Sequence, residues 1–522
     1  MDVVVVVPVL VVALVVLVVR AVRARDGAVT EGRAVRRFFQ YLLLYGLLVV
    51  VAVGLTGLLG RLLEPAALVG PDPLGLARDL AFTVVGVPLL VVVALWARRS
   101  LAADAGEAGS LGWVLFVTAA ALTSLVVAMS GLHQVLDWAV GSAAYEGPAL
   151  AGALVWSGSW GVLWWIDGHV TPREHSGVHH LAGSLIGLVT AATGLGGVLA
   201  AALRTLVGLD AGALLVGVAN PILAGVVTVA VGGPVWFVYW VRTAARDDPD
   251  PLRVAYLLLA GVAGGLVTAI VAASTLLYSV LVWLLGEPAS RVAAVHFDGA
   301  PAAAAAAAVG ALVWWYHQAV LAEIGTGTRT EVRRVYEYLM TCIGLLAAAG
   351  GLLTLVAAFL DAVAGTAFAG GSTVNTLLAA VTLLGVGGPA WWLCWRRIRV
   401  AVGGGSATDI RPEEIASPSR RVYVLALIGV GGVAAVVALV VAVYLLFQDV
   451  VGGTVGAETL RRMRFAVGVL LTAPVIAGYH WSVRRVDLEH PTGGPRGPRF
   501  VLLVGRPDRG VAGEVARRTR GR

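Results

Sequence analysis

Few residues in this chain could do chemistry, and most of them are histidines. His317 and His480 each follow a tyrosine, in Trp315-Tyr316-His317 and Gly478-Tyr479-His480, near the ends of apolar runs. Two imidazoles at equal depth in a helical bundle could ligate a haem; lone histidines in aromatic clusters also serve as interfacial hydrogen-bonders. His133 and Asp137, four residues apart, share one helix face and could handle a proton or an ion, or could simply be hydrated at a helix end. Asp167, His169, Glu174, His175, His179 and His180 crowd one short stretch. A surface metal site is conceivable there, but the spacing fits no structural zinc pattern, so a solvated loop is expected. Cys342 and Cys394 sit in apolar runs at different depths and read as small buried residues without redox work. The chain holds no phosphate-binding loop, zinc-protease helix or dinucleotide fingerprint. No catalytic residue, metal site or cofactor is therefore expected, haem on His317 and His480 being the one exception weighed.

The elements that carry these residues belong to a membrane. The chain has 522 residues, 59% hydrophobic and 13% charged, with a mean hydropathy of +0.87. Soluble domains are about half apolar and about a quarter charged, so that class is excluded. All 38 basic residues are arginine, and they lie between apolar runs, so the net charge of +7 does not mark a nucleic-acid partner. Crossing a bilayer takes about 20 apolar residues in helical form. Thirteen runs qualify, at 3–19, 38–63, 79–97, 111–138, 149–167, 178–207, 219–241, 253–285, 300–322, 334–361, 374–395, 421–448 and 463–483. The first lacks a leading positive charge and a cleavage site, and Arg20, Arg23 and Arg25 follow it, so it reads as an uncleaved anchor with its N-terminus outside. That orientation puts 31 of 38 arginines on the cytoplasmic side of a bacterial inner membrane, with the C-terminus also cytoplasmic.

The runs repeat. Four inbound helices open alike, at Arg36-Arg37-Phe38, Arg253-Val254-Ala255-Tyr256, Arg333-Arg334-Val335-Tyr336 and Arg420-Arg421-Val422-Tyr423. Return helices close alike: Gly233-Pro234-Val235-Trp236 leads to Trp240, Gly388-Pro389-Ala390-Trp391 leads to Trp395, and Pro474 leads to Tyr479-His480-Trp481 before Arg484-Arg485. The expected fold is an all-α transmembrane bundle of about 13 helices, an anchor followed by six parallel two-helix hairpins. The boundaries are 1–33 for the anchor, 34–110, 111–175 (degenerate), 176–249, 250–330, 331–418 and 419–487 for the hairpins, and 488–522 for a basic tail. The pairing of an Arg-Arg-aromatic inbound helix with a Pro-x-Trp return helix resembles the bacterial domain of unknown function 5671, over about residues 34–487. That resemblance implies a polytopic topology and carries no activity, cofactor or site residue.

Roles for the recurrent residues follow from a bilayer. Trp96, Trp236, Trp240, Trp315, Trp391, Trp395 and Trp481 lie near cytoplasmic helix ends, as an aromatic belt requires, though pairs four apart could line a pocket. Pro88, Pro234, Pro389 and Pro474 remove a helix hydrogen bond at one depth and are candidate bends. Arg36, Arg37, Arg333, Arg334, Arg420, Arg421, Arg484 and Arg485 set the topology. Expected partners are the bilayer and, for the arginine-rich tail, anionic headgroups. A non-enzymatic membrane component of scaffold or sensor type is the expected function. A permeation path for a neutral or apolar solute and a haem protein are the alternatives.

Overall fold

The computed structural model describes residues 31–65, 72–104, 106–209, 220–244, 251–323, 331–364, 372–403 and 412–489. Among these residues twelve helices are long and apolar enough to cross a membrane. They are α1 Glu31–Leu63, α2 Pro73–Ala103, α3 Leu111–Ala139, α4 Gly147–Val170, α5 Arg173–Leu206, α6 Pro221–Ala244, α7 Leu252–Leu285, α8 Ala300–Glu323, α9 Glu331–Ala364, α10 Thr373–Gly403, α11 Pro418–Gly452 and α12 Ala457–Glu489. All secondary structure among the described residues is helical. The expected anchor at 3–19 and the basic tail from 490 onward lie outside the described residues.

Local chemistry sets the helix starts. Asp72 accepts from Gly75 N at 2.9 Å ahead of Pro73, and Asn220 accepts from Ile222 N at 3.0 Å ahead of Pro221. In both, the cap satisfies an orphan amide while proline at the first helical position gives up a hydrogen bond it could not have made. At the far end of α11, Gly453 adopts φ +65°, and its amide turns back to Val450. A left-handed residue there ends the helix at no steric cost to glycine.

The chain divides into two compact units, Met1–Ser279 with Ala289–Thr326, and Val280–Pro288 with Gly327–Arg522. In the first, α1 packs on α2, α3 and α4, and α3 on α4; α5 packs on α6 and α8, and α8 on the start of α7. In the second, α9 packs on α10, α11 and α12, and α11 on α12. Consecutive helices thus pair as hairpins, and every fourth helix returns to the first of its set. The interior is filled by small residues such as Ala120, Ala121 and Ala151, while Val430, Val433, Val436 and Val440 of α11 are exposed. Close contact through small residues and an apolar outer surface are what bilayer helices need, since lipid provides no hydrophobic drive for association.

Candidate functional site

Ionisable side chains collect at the helix ends, where the hairpin chemistry sorts them. In three arginine doublets one member is exposed and the other is drawn inward: Arg36, Arg421 and Arg333, which stands 3.4 Å from Glu337 on its own helix, are exposed, whereas Arg37, Arg334 and Arg420 meet buried carboxylates. Arg37 Nε stands 2.6 Å from buried Glu107, to which Tyr41 also donates at 3.0 Å. Arg334 donates to buried Glu414 at 2.9 and 3.2 Å and to Glu331 at 2.6 Å. Arg420 clasps Asp487 with two bonds of 2.9 Å and reaches Tyr338 Oη at 3.3 Å. Glu107 and Glu414 occupy corresponding segments, each between the second and third helix of a set of four. Of the last topology pair, Arg485 is exposed and stands 3.6 Å from Glu489.

One step deeper, two aromatic cages repeat the same design. In the first unit Trp240, Tyr256, Tyr316 and His317 come together, and in the second Trp395, Tyr423, Tyr479 and His480 do so. Trp240 Nε1 donates to Tyr316 Oη at 3.1 Å, and Trp395 Nε1 to Tyr479 Oη at 2.6 Å. His317 Nδ1 donates to Val313 O and His480 Nδ1 to Ile476 O, each at 2.8 Å. Both rings are fully buried, and the Nε2 atom of each has no protein partner. A backbone-held Nδ1–H with a free Nε2 lone pair is the protonation state of an axial haem ligand. The two histidines lie in different compact units, each in its own cage. Gly261 makes the first cage possible, because a Cβ there would overlap the His317 ring.

The cages divide the tryptophans that composition assigned to one belt. Trp240 and Trp395 are wholly buried and hydrogen-bonded inside the helix sets, so for them the belt expectation fails. Trp96, Trp315 and Trp481 are exposed. Trp236 and Trp391 are half-buried and meet Tyr316 and Tyr479 edge-on. The residue four places beyond Trp236 or Trp391 faces the cage, while those one or two places away face outward, a consequence of helical periodicity that composition does not show. The prolines lie inside helices: Pro88 in α2, Pro234 in α6, Pro389 in α10 and Pro474 in α12. After Pro234 the backbone of α6 changes from α to π geometry over Phe237–Ala244. Proline has no amide to donate, and the wider turn that follows brings Tyr239, Trp240 and Ala244 to the buried face.

Tyr239 enters a second polar cluster, one the sequence had placed in a solvated loop. Helix α5 already begins at Arg173, so His179 and His180 are helical, and His179 is fully buried. Asp167 is buried in the last turn of α4. Its Oδ2 lies 3.0 Å from His179 Nδ1 and 3.3 Å from His180 Nε2. His179 Nε2 is 3.0 Å from Tyr239 Oη, which accepts from Trp160 Nε1 at 2.7 Å. His169 turns away and is exposed, bonded to Trp165 O. The loop expectation failed because polar residues flanking a turn look alike in sequence whether they face water or each other. His133 and Asp137 pair at 3.3 Å with both partly exposed. Cys342 and Cys394 are free thiols, Cys342 packing beside the second cage.

An apolar groove of about 810 Å³ runs between α11 and α12 in the second unit, lined by Gly429, Val433, Val437, Phe465 and Val469 among others, without an ionisable side chain.

A family model described as a domain of unknown function (DUF5671) matches the chain three times, at residues 37–166, 180–316 and 334–475. Each match spans one set of four helices, α1–α4, α5–α8 and α9–α12, the same sets in which the fourth helix returns to the first. No curated protein and no solved structure matches the chain.

Proposed function

Because the chain belongs to the DUF5671 family, present here in three tandem copies, and that family's description names no activity, we propose a function from the geometry: a non-enzymatic, multi-spanning membrane component of scaffold or sensor type. One observation carries this reading. The middle of each of the twelve spans has no Asp, Glu, Arg or His, as 254–285 and 422–448 illustrate, and the ionisable groups toward the ends are largely tied to one another, the Nε2 atoms of His317 and His480 excepted. Ion and proton paths use charged groups within the spans, and buried catalysis needs polar groups with free valences. Charges cross-tied at helix ends fix neighbouring helices in register instead.

The arginine bias orients the protein. With 31 of 38 arginines on one side, the ends bearing Arg37, Arg334 and Arg420 face the cytoplasm of a bacterial inner membrane, the N-terminus lies outside and the C-terminus inside. The tail beyond 488 adds eight arginines that anionic headgroups attract at about 1 kcal/mol each. Membrane-impermeant thiol labelling of single cysteines beside Arg334 and Asp361, in a background lacking Cys342 and Cys394, tests the topology: labelling from opposite sides is expected, and from one side would overturn it. In proteoliposomes the reading predicts neutral-solute and ion leakage equal to empty vesicles, and a spectrum without a Soret band. Protein-dependent flux would establish permeation in place of a scaffold.

A further inference from the structure

We propose that Asp167, His179 and His180 bind a divalent transition-metal cation, of which zinc is the type, at the arginine-rich end of α4 and α5. This goes beyond the scaffold reading and does not depend on it. Three donor atoms, one from each residue, lie within 4.8 Å of one another. The measured separations of 3.0 Å and 3.3 Å from Asp167 Oδ2 to the two imidazole nitrogens match the ~3.3 Å between neighbouring donors around a tetrahedral ion with bonds of about 2.0–2.1 Å. Consecutive residues on a helix normally point about 100° apart. His179 and His180 nevertheless turn one nitrogen each toward the same carboxylate oxygen. Two imidazoles and a carboxylate suit zinc, cobalt, nickel or copper better than calcium or magnesium, which prefer all-oxygen shells.

Charge supplies an independent argument. Six carboxylates are buried among the described residues: Asp79, Glu107, Asp167, Glu414, Asp449 and Asp487. Five of them pair with arginine, namely Arg61 and Arg78, Arg37, Arg334, Arg462 and Arg420 in turn. Among the described residues Asp167 pairs with the two histidines alone. A buried carboxylate needs a compensating positive charge, and at Asp167 no arginine among the described residues supplies it. A divalent cation provides it.

For His179 the surroundings already have the outer-layer partner that a metal-binding histidine requires. Ligation through Nδ1 leaves the single proton of neutral His179 on Nε2, which then donates to Tyr239 Oη across the existing 3.0 Å. Tyr239 Oη has two lone pairs, one for His179 and one for Trp160 Nε1 at 2.7 Å. His180 would bind through Nε2, leaving its Nδ1 without a protein partner. A metal takes each ring in its neutral form, with water as the fourth ligand.

The test uses the full-length protein, without a histidine tag, in detergent or nanodiscs, stripped by chelator and titrated with Co²⁺ and then Zn²⁺. The expected result is one ion per chain, with visible Co²⁺ absorption of low-symmetry tetrahedral N/O ligation that Zn²⁺ abolishes. Asp167→Asn and His180→Ala should each weaken binding at least tenfold, Tyr239→Phe by about 10- to 100-fold as loss of an outer-layer partner, and His133→Ala not at all. His180 is the least buried of the three ligands, so its variant serves if Asp167→Asn does not fold. Wild-type protein that takes up no ion at micromolar metal, or that binds it as tightly as His180→Ala does, overturns the proposal.

Discussion

Replacing Arg420 with leucine tests whether the cross-ties at the helix ends hold the second unit together. Arg420 and Asp487 each expose only 6% of the side chain and share two bonds of 2.9 Å. Two unit charges ~4 Å apart attract by about 4 kcal/mol at an effective dielectric constant of 20. Deleting the cation leaves Asp487 buried without compensation, a situation that costs about 3–5 kcal/mol in buried pairs. Tyr338 also loses the guanidinium 3.3 Å from its hydroxyl, a smaller effect. The double variant Arg420→Leu with Asp487→Leu removes both charges, so it should recover to within about 1–2 kcal/mol of the original, because desolvation of the pair offsets much of its attraction. Reversible unfolding in mixed micelles, following helix content against added denaturing detergent, gives the three free-energy differences. A strong loss in the single variant with recovery in the double is expected. If the double variant loses the sum of both single losses, the pair is not coupled and the cross-tie account of this end is wrong.

Two further perturbations probe neighbouring features. Burial pushes the Glu331 carboxyl up, but bonds from Ser419, Arg334 and Ser417 outweigh this and hold it below its ordinary value of 4.5. A carboxyl held low in the folded state contributes stability that is fully present above its ordinary value of 4.5 and is lost as pH falls from there through the folded value, so Glu331→Gln should flatten the acid limb of the stability curve below about pH 4.5. An unchanged acid limb would refute this. A Cβ on Gly344 would stand 2.6 Å from the backbone nitrogen of Trp391, whereas one on Gly432 meets nothing within 4 Å. Gly344→Ala should therefore cost about 1–3 kcal/mol by forcing α9 from α10, and Gly432→Ala should gain up to about 1 kcal/mol from helix propensity, both read by the same unfolding assay. Equal effects at the two sites would show that helix contact does not set the glycine requirement.

Hydropathy alone located the spans because the bilayer penalises any unsatisfied backbone group, which leaves long apolar helices as the one solution available to this composition. Twelve of the thirteen expected spans are present, and the remaining one falls outside the described residues. The two-helix period was legible for a related reason: arginine doublets and tryptophans mark every second helix end, and that marking follows the membrane surface rather than the fold. The larger unit left no such mark. Four helices form a set because α4, α8 and α12 return to α1, α5 and α9, and long-range packing of small residues such as Ala151 has no periodic signature beyond the hairpin.

Side-chain pairing was the least legible level. Arg36 and Arg37 are equivalent in a count of positive charge, yet only Arg37 meets Glu107, whose place in the loop after α2 the sequence does not connect to α1. The same holds for Tyr239. It lies 60 residues from His179, and its contact depends on the π-helical stretch that follows Pro234. The proline was visible in the sequence; which residues the widened turn would face was not. Of the four helices with an interior proline only α6 changes to π geometry after it, and α7 takes π geometry over Leu257–Ala263 with no interior proline, so the proline permits the change without dictating it. Gly187 of α5 lets the Trp236 backbone come close, but Gly344 of α9 does the same for Trp391 of α10, so this contact does not set α6 apart. The residue three places on does: it is Tyr239 in α6, which reaches the imidazole of His179, and Cys394 in α10. The polar site in the first unit is thus a product of helix contact and of the side chain that the contact presents.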